Sequence, residues 1–176
     1  MGIPTNIREF LDREGAQYQM LHHHRTSTLS EAAEACNMPL NQLVRAVILV
    51  DGQGLLMAVL PADHVLDFSA LFELLHRNLE LVPGNQLATI FDECEPRSYP
   101  PLAPVYNLDV IVDSSLDDLD IITFEPGSHT TLLQVDASQY RKLMGKMLSG
   151  CFSRPAYTLR SDHRHNPEEL SDVVDQ

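Results

Sequence analysis

Arg45 stands by itself in the apolar run Leu43-Val44-Arg45-Ala46-Val47-Ile48-Leu49-Val50. A guanidinium stays protonated, so it cannot act as a general base. Its five fixed donors suit a phosphate or a carboxylate. A lone buried charge is costly, so Arg45 must either pair with an acid of the chain or reach a cleft where a ligand supplies the anion. Position alone leaves both open, because acids are plentiful.

Three other groupings could do chemistry. His22-His23-His24 invites a metal. In extended chain, neighbours alternate faces, so only His22 and His24 could share an ion. No Cys or His cluster elsewhere has a spacing that would complete such a site, and a cleft-facing role for these histidines is the competing reading. Gly127-Ser128-His129-Thr130 joins a turn, a hydroxyl and an imidazole. A Ser128–His129 nucleophile pair is one reading, but adjacent residues seldom point at each other and no strand–Ser–helix elbow flanks Ser128. A turn with a hydrogen-bonding histidine is the other. Asp92-Glu93-Cys94-Glu95 and Asp117-Asp118-Leu119-Asp120 are acidic runs. The first lacks the spacing and central glycine of a calcium loop, and the second reads as solvated loop. No phosphate-binding glycine motif is present.

The elements that must carry these residues follow from periodicity. Residues 3–14 place Ile3, Ile7, Phe10 and Leu11 on one helical face, with Gly15 as the stop. Residues 18–21 suit a short strand. Ser27, Thr28 or Ser30 can cap a helix through Glu31-Ala32-Ala33, which Asn37-Met38-Pro39 ends. Residues 43–50 and 55–60 read as the arms of a hairpin about Asp51-Gly52-Gln53-Gly54. A helix is expected near 67–75, a strand over 79–82 and a helix over 84–90. Four prolines within 92–104 forbid a central strand or a continuous helix there, and such stiffened loops often line sites. Strands are expected at 108–112, 121–124 and 130–135. A last helix, capped by Asp136 or Ser138, runs through Tyr140, Leu143, Met144 and Met147. Irregular alternation of strands and helices argues for α+β with a mixed sheet. Residues 1–155 read as one domain and 156–176 as an acidic, mobile tail.

Composition narrows the function classes. The chain has 176 residues, 44% hydrophobic and 21% charged, which suits one globular domain. Net charge is −13, from 25 acids and 12 bases, and Lys142 and Lys146 are the only lysines. A protein that grips nucleic acid unaided presents a basic face, so any nucleic-acid contact here must be local or delivered by a partner. Cys36, Cys94 and Cys151 have no metal-type spacing and read as reduced thiols. With no signal-type N-terminus and no long apolar run, a cytoplasmic protein away from membranes is expected.

Taken in order, these segments resemble the YbaK/prolyl-tRNA-synthetase-associated domain family, small deacylases that clear mischarged tRNA. The likeness covers residues 5–148. It rests on Ser27-Thr28 before Glu31-Ala32-Ala33, Met38-Pro39-Leu40 leading into the apolar strand, and Val59-Leu60-Pro61-Ala62 with Leu66-Asp67. Tyr99-Pro100-Pro101-Leu102 and Gly127-Ser128-His129 through Leu143 complete it. The resemblance implies a mixed, partly closed β-sheet with surrounding helices. It implies a pocket for the aminoacyl ester at the 3′ end of tRNA, without metal or cofactor. Arg45 stands where the family has a lysine that grips the terminal nucleotide. The loop of Arg97, Ser98, Tyr99, Pro100 and Pro101 and the turn at Gly127 would shape the pocket, with Ser27 and Thr28 on its substrate side. His22, His23 and His24 would line its entrance. Ser128 and His129 would join Arg45 nearest the chemistry. Positioning and electrostatics, with help from a ribose hydroxyl, would do the work. A synthetase or an elongation factor would deliver the tRNA. Arg97 and Ala103 replace two loop glycines, so a binding or regulatory module that has lost catalysis is the alternative.

Overall fold

The computed structural model describes residues 2–156; of the expected tail, 156–176, all but Ala156 lies outside the described residues. Helix α1 (Thr5–Arg13) buries Ile7, Phe10 and Leu11, and Gly15, at φ +63°, lets the chain turn away after it. Strand β1 (Gln19–His22) and helix α2 (Leu29–Ala35) follow. Thr28 caps α2 by accepting the Glu31 N–H at 3.1 Å, while the Glu31 carboxylate accepts the Ser27 N–H at 2.7 Å. This reciprocal capping fixes the chain where Ser27 and Thr28 pass the site.

The hairpin is β2 (Val44–Asp51) and β3 (Gly54–Pro61), paired antiparallel from Val44–Pro61 to Asp51–Gly54. Then come β4 (His64–Leu66), α3 (Phe68–Leu75), β5 (Glu80–Leu81), α4 (Gly84–Ile90), β6 (Asp109–Asp113), β7 (Ile121–Phe124) and β8 (Thr131–Asp136). The described chain closes with α5 (Ala137–Met144), β9 (Leu148–Gly150) and β10 (Ser153–Pro155). A five-stranded mixed sheet runs β5-β2-β3-β6-β9, with β3–β6 and β6–β9 parallel. A three-stranded antiparallel sheet runs β1-β8-β7, and β4 pairs with β10. The sheets are not closed; a bridge from Leu43 to Thr123 joins the two larger ones.

The two-residue period of β2 explains why its whole run is apolar. Val44, Ala46 and Ile48 face the main core with Met57, Val59, Val110 and Val112, packed against Phe124, Leu133, α1 and α5. Val47 and Leu49 face a second core with Leu56, Ala58, Leu71 and Phe152. A strand buried on both faces cannot alternate. Arg45, the second residue of β2, shares the side of Val47 and Leu49.

Three short strands escape sequence reading: β4, β9 and β10 have three residues each, too few to show a period. Asp136 stands at the N-cap of α5 but makes no side-chain cap bond.

Candidate functional site

A cavity of about 260 Å³ opens where β2 begins. Arg45 on β2, Ala62 after β3 and Leu40 form one part of its wall, and Ser27, Thr28, Leu29 and Ser30 form another. Arg97 from the proline-rich loop and Glu125 and His129 from the turn after β7 complete it. Apolar groups thus alternate with two cations, one acid and several hydroxyls.

Arg45 is 7% exposed, and its Nη2 donates to the His64 carbonyl at 2.8 Å. Burial lowers its pKa to about 10, so it stays cationic at neutral pH. The guanidinium is therefore a buried cation on a cavity wall, held by a backbone dipole of β4.

His129 sits at the centre of a loop-to-turn junction. Its Nε2 lies 2.7 Å from the Pro96 carbonyl, and its Nδ1 lies 3.4 Å from Glu125 Oε1. A carbonyl only accepts, so Nε2 carries the hydrogen. The Nδ1–Oε1 contact then needs one proton, supplied by either partner. Burial raises the Glu125 carboxyl, against the pull of the adjacent His129 and the buried Ser98 hydroxyl. The His129 N–H donates to Glu95 Oε2 at 2.6 Å, and Arg25 Nη1 meets Glu95 Oε1 at 2.6 Å. Burial pushes the Glu95 carboxyl up, but these two donors outweigh it and hold it below the usual range.

The backbone joins the same pieces. Thr26 N–H donates to the His129 carbonyl and His23 N–H to the Thr130 carbonyl. Glu95 N–H donates to the Gly127 carbonyl at 3.0 Å. Gly127 has φ +100°, and a Cβ there would come within 2.6 Å of Pro4 Cγ, so glycine is required. Arg97 has φ +68°, the left-handed conformation that glycine adopts freely.

Of the residues singled out in the sequence, the cavity gathers Ser27, Thr28, Arg45, Arg97 and His129. The others stand elsewhere. Ser128 is fully buried, with its Oγ 2.9 Å from Thr130 Oγ1, and both His129 ring nitrogens have other partners. The Ser128–His129 nucleophile pair is therefore corrected: the two side chains are not joined. His22 Nδ1 faces Thr131 Oγ1, and His23 Nδ1 faces the His24 carbonyl, so the triple histidine does not line the cavity. Among the described residues no three metal-ligating side chains converge. Ser98 is buried, Tyr99 stacks on Phe91 at 4.6 Å, and the Pro101 carbonyl accepts the Tyr140 hydroxyl at 2.7 Å. Together with buried Pro100 they anchor the loop that presents Arg97. Ala103 is fully buried in the main core and does not line the cavity. Glu125 and Pro96 were not foreseen. The signal was Glu125-Pro126-Gly127-Ser128-His129, an acid and an imidazole either side of a turn.

Fold and cavity together define a small α+β domain with a cationic, partly apolar cleft. The aminoacyl-tRNA editing domain matches residues 23–143, and the chain belongs to that family. No curated protein sequence matches it. Among solved structures, the hypothetical protein APE2540 superposes with a TM-score of 0.75 at 22% identity, over 85% of this chain and 99% of that one. A candidate trans-editing enzyme for prolyl tRNA synthetase gives 0.74 at 17% identity, over 87% and 99%. A candidate signal transduction protein from Marinobacter aquaeolei VT8 gives 0.70 at 22% identity, over 86% of this chain and 31% of that one. At these identities the likeness is one of fold. Among the described residues no helix is long and apolar enough to cross a membrane.

Proposed function

We propose that the protein is an aminoacyl-tRNA deacylase acting in trans, which hydrolyses the ester of a mischarged small amino acid. The observation that carries this reading is a buried cation, Arg45, on the wall of a cavity otherwise lined by apolar and hydroxylated side chains together with Arg97, Glu125 and His129. Arg45 holds a phosphate or ribose oxygen of the terminal nucleotide. Arg97 meets the RNA backbone at the mouth. Leu29, Leu40 and Ala62 bound the space for the amino-acid side chain, so a small residue fits and a bulky one is refused.

No side chain serves as the nucleophile. A water attacks the ester carbonyl carbon, the bond to the ribose oxygen breaks, and the water's proton reaches that oxygen with help from the neighbouring ribose hydroxyl. The protein's share is to fix the ester and stabilise developing charge. His129 is a positioning residue, because both its ring nitrogens are occupied within the protein. The net charge of −13 opposes unaided capture of tRNA, so a synthetase or an elongation factor delivers it in the cytoplasm.

The test is release of amino acid from a panel of correctly charged and mischarged tRNAs. Release of one or a few small amino acids well above the buffer rate is expected. No release from any charged tRNA would overturn the proposal and leave a binding module.

A further inference from the structure

We infer that Glu125 is the specificity residue that accepts the α-ammonium of the aminoacyl group, so that the site takes free-amine esters and refuses N-blocked ones. The inference rests on the deacylase reading and deepens it.

The reason lies in a charge that the rest of the site does not call for. An RNA 3′ end is a polyanion, and a carboxylate in its pocket repels it. Glu125 nevertheless lines the cavity that Arg45 and Arg97 line, and it is 5% exposed. Burying an acid without a firm cationic partner is costly. Its ion-pair partner among the described residues is His129, through Oε1 and at a long 3.4 Å. That imidazole is anchored by its Nε2–H to the Pro96 carbonyl, so it cannot turn to offer the ligand a nitrogen. The ligand therefore meets the Glu125 side chain, which the buried Ser98 hydroxyl and His129 flank. An aminoacylated 3′ end carries one cationic group, the α-ammonium, and it sits on the carbon next to the reacting carbonyl. Holding that group fixes the ester while Arg45 holds the nucleotide. A peptidyl or N-acylated ester lacks the cation and adds bulk, and loses on both counts.

The experiment measures binding of two non-hydrolysable probes, an adenosine with alanine amide-linked at its 3′ position and the same compound N-acetylated. Wild type is expected to prefer the free amine by at least about tenfold, as for one charge-assisted hydrogen bond. Glu125→Gln should erase that preference and leave the N-acetylated probe unchanged, and Glu125→Asp, which keeps the charge, should retain part of it. Equal binding of the two probes by wild type, or an intact preference in Glu125→Gln, would overturn the assignment while leaving the deacylase reading standing. Binding of neither probe, together with no amino-acid release, would remove both. The wild-type comparison decides even where a variant fails to fold.

Discussion

The Nε2 of His129 donates to the carbonyl oxygen of Pro96 at 2.7 Å, which ties the turn after β7 to the proline-rich loop. With Nδ1 facing Glu125, the ring is a strut between two wall segments of the cavity. On the proposed reading, its contribution to activity is to keep Arg97 and Glu125 at fixed distance.

A strut can be replaced by another donor. His129→Gln can still donate to Pro96, whereas His129→Ala leaves a buried carbonyl and a buried acid with fewer partners. The alanine variant should lose about 1–3 kcal/mol of stability and at least about tenfold in kcat/KM. The glutamine variant should recover much of both. Thermal melts and steady-state deacylation check this. Equal loss of activity in the two variants at full stability would mean that the imidazole itself takes part in the reaction.

Glycine is compulsory at one turn and merely natural at the other. Gly127→Ala places a Cβ 2.6 Å from Pro4 Cγ at φ +100° and should cost more than about 2 kcal/mol. Arg97→Gly removes a side chain from a left-handed residue, a strain of about 1–2 kcal/mol, against an entropic cost of about 0.5–1 kcal/mol. It should therefore leave stability unchanged or slightly raised, while weakening tRNA binding. Denaturant unfolding of both variants is the check, and a strongly destabilised Arg97→Gly would contradict it.

Tyr140 is buried and donates to the Pro101 carbonyl at 2.7 Å. Burial raises its phenol well above the ordinary range, so it remains a donor at every working pH. Tyr140→Phe should cost about 1–3 kcal/mol by orphaning that carbonyl, and should loosen the loop that carries Arg97. Amide exchange over residues 97–103 should rise in the variant, and unchanged protection would contradict the anchoring role.

Glu95 links stability to pH. Its folded carboxyl is held below the ordinary value, so folding favours the ionised form. That contribution is complete above the unfolded value of about 4.3 and is lost as pH falls through the depressed folded value. Glu95→Gln should be less stable than wild type at about pH 6, and its stability should fall less steeply on acidification. Parallel stability curves from denaturant titrations would contradict this.

Much of this arrangement is legible in the sequence, for identifiable reasons. The hairpin can be placed closely because Asp51-Gly52-Gln53-Gly54 separates two apolar runs. Arg45 stands out because a charge in such a run must be accounted for, and it does line a cavity. The triple histidine draws attention by composition, yet composition does not say which way β1 faces. Ser128 and His129 are neighbours in sequence, but the hydroxyl turns to Thr130 and the ring to Pro96 and Glu125. Glu125 is hidden because it follows an apolar strand and its partner lies across a turn. The short strands β9 and β10 depend on pairing with β6 and β4, contacts between distant parts of the chain that no local pattern reports.

The most direct measurement is kcat/KM for the preferred mischarged tRNA with wild type, Arg45→Lys and Arg45→Ala, each shown by thermal melting to be folded. Losing a charged hydrogen bond of about 1.5–3 kcal/mol predicts a fall of roughly 10- to 150-fold for Arg45→Ala. Arg45→Lys, which keeps the cation, should stay within about tenfold of wild type. A folded Arg45→Ala protein that deacylates at the wild-type rate would contradict the account.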